Sequence, residues 1–403
     1  MLLYGPLCQF LIFSYTELHG EAQSYTENNI CVNQRNLREN LKKIEMKDYI
    51  ISGIQQMGIG VVNVEESWKW YIDQFGMDCR IFDDDAPAKL MLPYTGGVPR
   101  SKHAILAMNL QSGGGFEIWQ YTERDPVKIK EEIKIGDLGI IACKIKAKNI
   151  QESLTLYQKN GIQVPSVATE DPSGKTTFFM KDPYGNIFQL IEATDWFRDE
   201  KKGTGGSYGA IIGVSDIEKA RVVYSDILGY NEVIYDTAGI FNDLADLPGG
   251  NIECRRVLLK RSKPFTGAFS KVLGDSVIEL ISSAAYHGKK IFEGRFWGDP
   301  GFIHLCYDMN GMDNLKNLCE NKGFPFTVDS KKSHEGNSFD MGEAAGYFSY
   351  IEDPDGTLIE FVETHKVPIL KKFGWYLDLR KRDPKKSLPD WIVKTLRFSR
   401  VKS

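Results

Sequence analysis

Hydrophobic and polar residues alternate over several short stretches of the chain, and such alternation is typical of half-buried β-strands. The first stretch covers residues 54–62, and the apolar spacing over residues 64–77 then predicts an amphipathic helix that stops at Gly76. Three further strands are predicted near residues 78–83, 103–110 and 115–121. Together these elements predict one βαβββ module over residues 50–121.

The same order of strand, helix and strands recurs three times along the chain. The later modules are predicted over residues 138–195, 207–284 and 301–364. Two of them end alike, with an Asp-Pro-x-Gly turn at Asp182 or Asp353 that leads into an apolar strand. Asp and Pro favour the opening of a tight turn, and glycine supplies the positive φ that closes it. The repetition indicates an internal repeat, on which the fold prediction depends.

A single βαβββ module cannot bury both faces of its short sheet, because its one helix covers only one face. The other face has to meet a second module, which leaves a curved sheet with a concave side. We therefore predict an α+β fold in which four βαβββ modules pair into two eight-stranded half-barrel cups. Along the chain, the first pair of modules occupies residues 46–195 and the second pair occupies residues 207–365. A Gly- and Lys-rich linker at residues 196–206 joins them.

The two ends of the chain lie outside the repeat. Residues 1–45 start with an apolar run, but no Lys or Arg precedes Arg35 and no small-residue cleavage site follows the run. We predict a poorly ordered N-terminal extension there, with a signal segment as the alternative. Residues 366–403 carry 12 Lys or Arg against three Asp. Their apolar residues favour a basic tail packed on the body, and contact with an anionic membrane or nucleic acid is the alternative.

The composition narrows the class of protein. A net charge of −4 over 403 residues gives no reason to expect nucleic-acid binding. The seven cysteines are scattered without CxxC spacing, which argues against a disulfide framework or a structural zinc site and favours a reducing, cytoplasmic location. We therefore expect a small-molecule substrate, no nucleic-acid or membrane partner, and a monomer or homodimer.

The fourfold βαβββ order and the Asp-Pro-x-Gly-x-x-x-[Glu/Gln] endings resemble the vicinal oxygen chelate superfamily, which includes glyoxalase I, the bleomycin-resistance proteins and the extradiol dioxygenases. The resemblance covers about residues 50–365. It implies that metal ligands come from the first and last strands of each module and point into the cup. In module order these positions are Gln56 and Glu117, Ile140 and Gln189, Gly209 and Glu279, and His304 and Glu360. Strand parity supports these positions independently, because alternation puts the polar candidates opposite the aliphatic face.

The pairing of the modules decides which of these residues meet. If module one pairs with module four, one cup holds Gln56, Glu117, His304 and Glu360, a set that resembles the ligands of eukaryotic glyoxalase I. We favour this arrangement because it concentrates the donors in one place. If neighbouring modules pair instead, the alternative metal set is Glu279, His304 and Glu360.

Oxygen and imidazole donors around an open coordination shell suit a divalent Zn, Ni, Mn, Co or Fe ion. Such an ion can stabilise an enediolate while Glu360 and Glu117 move a proton between adjacent carbons. The sequence therefore predicts a metal-dependent glyoxalase-type lyase or isomerase that acts on a small α-oxo or vicinal-oxygen substrate. His103 and Arg100, at the start of a predicted strand, are candidate substrate-binding residues, although a surface role for His103 is the alternative.

Two other functions compete with this prediction. Because Ile140 and Gly209 cannot act as side-chain ligands, a metal-free protein that binds or sequesters a small molecule is the first alternative. A non-haem iron dioxygenase is the second, and it requires two histidines and a carboxylate. The chain has six histidines, of which only His304 falls at a ligand position, and Gly209 stands where another histidine is expected.

Overall fold

The computed structural model describes residues 49–333, 339–340, 345–370 and 375–402. The predicted N-terminal extension, residues 1–45, lies outside the described residues. Each of the four predicted modules contains a first strand, a helix and later strands in the expected order. In module one these are β1 (Ile50–Gly60), α1 (Val64–Phe75), β2 (Cys79–Pro87), a 3₁₀ turn (Leu92–Tyr94), β3 (Ser101–Met108) and β4 (Gly115–Tyr121).

Modules two and three repeat this order with local additions. Module two consists of β5 (Gly139–Ala147), α2 (Ile150–Lys159), β6 (Thr169–Glu170), β7 (Thr176–Lys181) and β8 (Ile187–Glu192). Module three consists of β9 (Thr204–Gly213), α3 (Ile217–Arg221) with a π-helical continuation (Val222–Ile227), β10 (Glu232–Gly239), a 3₁₀ turn (Asn242–Leu244), β11 (Cys254–Lys260), α4 (Ser270–Leu273) and β12 (Val277–Ser282).

Module four and the C-terminal segment complete the described chain. Module four consists of β13 (Gly301–Asn310), α5 (Met312–Asn321), β14 (Val328–Asp329), α6 (Ser330–Ser333), β15 (Phe339–Asp340), β16 (Ala345–Glu352) and β17 (Leu358–Leu370). β18 (Trp375–Asp378), a 3₁₀ turn (Leu379–Lys381), α7 (Asp390–Thr395) and a second 3₁₀ turn (Leu396–Ser399) follow. Because β17 runs to Leu370, it passes the predicted module end at residue 364.

The helices of the first three modules begin in the same way. Asn63, Asn149 and Asp216 each accept a hydrogen bond from the backbone N–H three residues later, at 3.2, 3.0 and 3.1 Å. Such side-chain caps satisfy a backbone donor that the first helical turn leaves free. In module four Gly311 takes this position, and the Glu363 carboxylate accepts instead from the N–H groups of Gly311 and Met312.

The strands form two sheets, and each sheet combines two modules. Modules one and four share the sheet with the order β14-β16-β17-β13-β1-β4-β3-β2, to which β15 and β18 add short pairings. Modules two and three share the sheet with the order β10-β11-β12-β9-β5-β8-β7-β6. The predicted α+β fold with two eight-stranded cups is therefore confirmed. Module one meets module four, which is the arrangement that the donor positions favoured.

The centre of each sheet follows one pattern. The first strands of the two modules pair antiparallel, as β1 with β13 and β5 with β9, and each is flanked on its other side by the parallel last strand of its own module. Strands β17, β13, β1 and β4 therefore lie side by side. This places the four predicted ligand strands of modules one and four next to each other.

The largest hydrophobic core draws on both sheets and on the module helices. Met57 and Ile59 of β1 lie in it with Leu305 of β13, and Ile145 of β5 comes from the other sheet. The helices contribute side chains such as Trp68. Because side chains alternate along a strand, Gln56 and Gly58 project to the opposite face, which is the concave side of the sheet.

The C-terminal segment lies against this body. Leu379, Leu388 and Ile392 belong to a hydrophobic cluster with Met108 of β3 and Leu273 of α4. The Leu388 N–H donates to the Ala268 carbonyl at 2.8 Å, and the Val401 N–H donates to the Asp78 carbonyl at 2.9 Å. None of the helices in the described ranges has both the length and the apolar character that crossing a bilayer requires.

Candidate metal centre

Four polar side chains from four adjacent strands meet on the concave face of the sheet built from modules one and four. The Gln56 Nε2 lies 3.3 Å from Glu117 Oε2 and 3.4 Å from Glu360 Oε2. The His304 Nε2 lies 3.3 Å from Glu117 Oε2 and 3.1 Å from Glu360 Oε2. We call Gln56, Glu117, His304 and Glu360 the four-donor cluster. The structure thus brings together all four residues of the favoured metal set.

The cluster is almost completely shielded from solvent. The His304 side chain is fully buried, and Glu117 and Glu360 expose 12% and 9% of their side chains. The two carboxylates are therefore the part of the cluster that a molecule entering the cup can reach. Ligand-bearing atoms of Glu117, His304 and Glu360 all lie within 4.8 Å of one another, a spacing that allows a shared metal ion.

The charges of the cluster are unbalanced. Among the described residues, the ion pairs of Glu117 and Glu360 involve His304 and no Lys or Arg. Two carboxylates in a buried site require a compensating positive charge, because burial penalises an unpaired ion strongly. A protonated His304 supplies one such charge, and a divalent ion supplies two.

The carboxylates act strongly on His304. Burial by itself lowers the pKa of this imidazole, but Glu360 and Glu117 raise it to about 9 overall. On its other side, the Trp297 Nε1–H donates to His304 Nδ1 at 3.3 Å, which favours an unprotonated Nδ1. The carboxylates have the larger effect, because two formal charges act on the ring and the indole is a single neutral donor. At neutral pH the ring is therefore protonated unless another cation replaces the proton.

Two atoms of the cluster have no hydrogen-bond partner. Gln56 Oε1 and His304 Nε2 are buried without a hydrogen-bond partner among the described residues, although Nε2 forms ion pairs with both carboxylates. Buried polar atoms in folded proteins normally have a hydrogen-bond partner, so the buried Gln56 Oε1 without one indicates a missing partner in the cluster. An amide oxygen, an imidazole nitrogen and two carboxylates are suitable ligands for a divalent transition metal. The residues present therefore fit the implied ion.

Aromatic side chains surround the imidazole. Besides its hydrogen bond, the Trp297 ring lies nearly parallel to that of His304, and Tyr350 of β16 meets His304 edge-on with ring centroids 5.6 Å apart. Trp119 of β4 contacts Trp297 with ring centroids 4.6 Å apart. This wall limits the water around the cluster, which strengthens electrostatic interactions there.

Trp297 comes from the segment between modules three and four, which a buried carboxylate holds in place. The fully buried Asp299 pairs with Arg124 at 2.8 Å and also accepts from the N–H groups of Val127 and Phe296, each at 2.8 Å. Gly298 has φ of 97°, and a Cβ there would lie 2.1 Å from the Trp119 ring. Only glycine satisfies both the backbone conformation and this contact.

The alternative metal set is not assembled. Glu279 lies in the other sheet, where its carboxylate pairs with Lys144 and Arg256, while His304 and Glu360 pair with each other. The set Glu279, His304 and Glu360 was a consequence of pairing neighbouring modules, and the observed pairing of module two with module three removes it.

The candidate substrate-binding residues lie outside the four-donor cluster. His103 pairs with Asp83 at 2.8 Å, and Arg100 pairs with Glu123 at 3.3 Å. His103 alternates with Ala104, which packs in the aromatic cluster around Trp119, so His103 projects to the opposite face of β3. The Arg100 guanidinium lies 5.7 Å from the centre of the Phe296 ring, at the edge of that aromatic cluster.

Two β-bulges change positions that simple alternation predicts. In β5 the pairing slips between Ile140 and Ala142, so Ile140 lies in the main core, and the parallel ladder with β8 puts Ala142 at the place equivalent to Gln56. In β13 the pairing slips between the partners of Gly58 and Ile59, and Ile303 joins the aromatic cluster near His304. The prediction of Ile140 at a ligand position was therefore wrong, because one extra residue reverses the facing of a strand.

Sequence reasoning missed the contacts that surround the cluster. Trp297 lies in a segment outside the repeat, so no equivalent position in another module pointed to it. Tyr350 lies directly opposite Glu360 in the β16–β17 ladder. Pairing the two predicted strands residue by residue could therefore have identified it.

Comparisons with known proteins found one family match and several similar solved structures. Residues 210–340 match the family described as the Glyoxalase/Bleomycin resistance protein/Dioxygenase superfamily. No curated protein gives a significant match to the chain. Among solved structures, the chain is similar to a mutant of glyoxalase I from Zea mays, with 13% identity and a TM-score of 0.49 over 78% of this chain and 92% of that one.

Two further solved structures are similar over different lengths. The Mn(II)-bound glyoxalase from Novosphingobium aromaticivorans has 12% identity and a TM-score of 0.26, covering 85% of this chain and 89% of that one. A glyoxalase family protein from Enterococcus faecalis has 19% identity and a TM-score of 0.26, covering 34% of this chain and 96% of that one.

Proposed function

We propose that the chain is a metal-dependent lyase or isomerase of glyoxalase type, a proposal that the match of residues 210–340 to the Glyoxalase/Bleomycin resistance protein/Dioxygenase superfamily supports. Its substrate is a small α-oxo or vicinal-oxygen compound. One observation carries the proposal: Glu117 and Glu360 are brought together with His304 and with a Gln56 Oε1 that has no hydrogen-bond partner, and no Lys or Arg among the described residues balances the carboxylates.

Gln56, Glu117, His304 and Glu360 would hold the ion, which supplies Lewis-acid stabilisation of an enediolate-type anion when bound. The chain itself supplies the proton transfer. The carboxylates of Glu117 and Glu360 can accept a proton from the substrate and return it. Both side chains retain some exposure toward the cup. Trp119, Trp297 and Tyr350 restrict water around them, which favours return of the proton to the substrate over exchange with solvent.

Metal content is the first test. The protein is stripped with a chelator, exposed in turn to Zn, Ni, Mn, Co and Fe(II) ions, and freed of loosely bound ion before analysis. We expect one tightly held ion per chain in the wild type and in the control His103→Ala, whose imidazole lies outside the cluster. His304→Ala should hold none. Equal and negligible metal in all three proteins contradicts the proposal.

Activity is the second test. The reloaded protein is incubated with small α-oxo aldehydes, with and without an added thiol, and product formation is followed. We expect turnover that disappears with the chelator, returns with the ion and is lost in Glu360→Gln. Metal binding without turnover on any of these compounds would contradict the reaction class while leaving the metal centre intact.

A metal-free binding protein is the second candidate, and one observation favours it. His304 between two carboxylates can compensate part of their charge as an imidazolium, since its pKa is raised to about 9. This candidate requires a ligand that raises the melting temperature equally with and without chelator. For a dioxygenase, the described residues bring only one imidazole, that of His304, to the metal-binding group.

A further inference from the structure

The centre of the second cup carries a different set of residues at the same positions of the ladder. In the first cup, Gly58 of β1 pairs with His304 of β13. In the second cup, the corresponding pair is Lys144 of β5 with Gly209 of β9. The correspondence follows from the parallel ladders, because Glu117 pairs with Gly58 as Gln189 pairs with Lys144. Glycine and a basic side chain have thus exchanged strands between the two cups.

The Lys144 ammonium lies between the residues that correspond to the first cup's carboxylates. Its Nζ donates to Gln189 Oε1, which corresponds to Glu117, and to Glu279 Oε2 at 2.7 Å. Glu279 corresponds to Glu360, because each pairs in its parallel ladder with the residue two positions after Gly209 or His304. The side chains of Lys144 and Glu279 are 1% and 0% exposed. The ammonium therefore occupies the place between these donors where the first cup has room for an ion.

A second cation completes the charge balance. The Arg256 Nε donates to Glu279 Oε1 at 2.6 Å, and its two terminal nitrogens donate to Asp243 at 2.7 and 2.9 Å. Tyr235 also donates to Glu279 Oε1 at 2.8 Å. Burial raises the pKa of Glu279, but Arg256 and Lys144 outweigh that effect and hold it at about 2. Two carboxylates here face two protein cations, whereas the first cup provides none besides His304.

The missing histidine cannot be restored at Gly209. A Cβ on Gly209 would lie 1.8 Å from the Val277 carbonyl oxygen, which is backbone and cannot swing away. The second cup therefore lacks both an imidazole and the space for one.

We infer that the Lys144 ammonium takes the place of a metal ion in the second cup. The chain therefore takes up one ion, in the first cup, and the position between the donors of the second cup is filled by its own side chain. This inference rests on the proposed function for the ion of the first cup. Its stability part, which concerns Lys144 alone, is independent of any metal.

Stability measurements test the role of Lys144. We expect Lys144→Met to lower the melting temperature of the chelator-treated protein strongly, because it leaves Glu279 and Asp243 with one cation. Lys146→Met is the matched control: Lys146 is a fully buried lysine of the same strand, but its partner Asp195 is 36% exposed and can be solvated. Its loss should be clearly smaller. Equal losses in the two variants would overturn the inference.

A double variant separates charge from packing. Adding Glu279→Gln to Lys144→Met removes the unpaired carboxylate, so the double variant should melt above Lys144→Met. If Lys144→Met yields no folded protein, we expect folding to recover in the double variant and in Lys144→Arg. That recovery supports the inference in the same way as the higher melting temperature. A double variant that melts below Lys144→Met, or that also fails to fold, would overturn the inference.

Metal stoichiometry tests the other half. We expect one ion per chain in the wild type and none in His304→Ala. An ion retained in His304→Ala and lost on adding Glu279→Gln would place metal in the second cup and overturn the inference. A wild type that binds no ion would contradict the proposed function of the first cup, and the melting data on Lys144 would still decide the role of the ammonium.

Discussion

Gly58 of β1 lies directly opposite His304 of β13, and the imidazole occupies the space that a side chain at Gly58 would need. A Cβ built on Gly58 would come within 2.5 Å of His304 Cε1 and 2.6 Å of Nε2, the nitrogen that faces the carboxylates. Both are far inside the normal contact distance of about 3.5–4.0 Å. The glycine is therefore part of the construction of the cluster, although it contributes no ligand.

We expect Gly58→Ala to displace the imidazole and to lower metal affinity by at least about tenfold, the range for loss of a positioning contact. The fold should survive, because the atoms that the added Cβ meets belong to the His304 side chain and not to the backbone. The measurement is metal affinity by titration, together with the far-UV spectrum. Gly203→Ala is the control, since a Cβ at Gly203 meets no atom within 4 Å. Unchanged affinity in Gly58→Ala would show that the position of His304 does not matter for the ion.

Trp297 opposes the protonated form of His304, because its indole N–H points at Nδ1. In the metal-free protein, Trp297→Phe should therefore raise the pKa of His304 by a further amount of about 0.5–1, the equivalent of one hydrogen bond. The measurement is a pH titration of the His304 ring signals by NMR. A lower or unchanged pKa would mean that the indole acts only by packing.

Trp119→Phe is the matched control for that experiment. Trp119 contacts Trp297 in the same aromatic wall, but its indole nitrogen is buried without a hydrogen-bond partner among the described residues. Its loss should leave the pKa of His304 unaltered. An equal rise in both variants would assign the effect to loosened packing.

The stability of the metal-free protein should fall as the pH rises from about 6.5 to about 9. The pKa of His304 is about 9 in the folded protein, above an unfolded value of about 6.5, so the folded state holds the proton more tightly. The resulting stabilisation is fully present below pH 6.5 and is lost as the pH rises through 9, amounting to about 3 kcal/mol. Urea unfolding across this window, compared with His304→Gln, isolates the contribution. Parallel curves for the two proteins would contradict the raised pKa.

The facing of the donors was predictable from the sequence because alternation is a local property. Glu117 and Glu360 each stand between two aliphatic or aromatic neighbours that lie in the main core, and Gln56 precedes the core residue Met57. The pairing of module one with module four was harder, because contacts between distant modules leave no local pattern. It could be favoured only by the chemical argument that it gathers the donors.

The features that escaped prediction arise from irregularity and from tertiary contact. The bulge near Ile140 adds one residue to a strand, and alternation alone does not reveal such a slip. Trp297 reaches His304 from a segment between modules, where no repeat guides the reading. Lys144 lies in a strand rich in apolar residues, where no neighbouring residue indicates its role. That role follows from the position of its ammonium between Gln189 and Glu279.

The two Asp-Pro turns were predictable as a pair, and the structure shows a difference between them that gives a further prediction. Gly185 and Gly356 adopt φ of 87° and 94°, as the turns require. In each turn a buried tyrosine from the preceding module donates to the aspartate: Tyr71 to Asp182 Oδ2 at 2.7 Å, and Tyr224 to Asp353 Oδ2 at 2.9 Å. Each tyrosine thus ties the helical segment of one module to the last turn of the next.

The two turns differ in what remains when the tyrosine hydroxyl is removed. Asp182 Oδ2 also accepts from the Asn186 side chain at 2.7 Å, whereas the equivalent residue of the second turn is Thr357, whose hydroxyl has no hydrogen-bond partner among the described residues. Tyr71→Phe should therefore cost about 1 kcal/mol of unfolding free energy, and Tyr224→Phe about 2 kcal/mol, because only the latter leaves that carboxylate oxygen unpaired. Urea unfolding of both variants measures the difference.

Exchanging the distinguishing residue turns this comparison into a stricter test. Asn186→Thr gives the first turn the side chain of the second, so Tyr71→Phe in that background should cost as much as Tyr224→Phe does in the wild type. The reason is that Asp182 Oδ2 then loses its last side-chain donor, and a buried acceptor without a partner carries the full cost of desolvation. If Tyr71→Phe costs the same with Asn186 as with Thr at that position, Asn186 does not support the carboxylate and the difference between the turns has another origin.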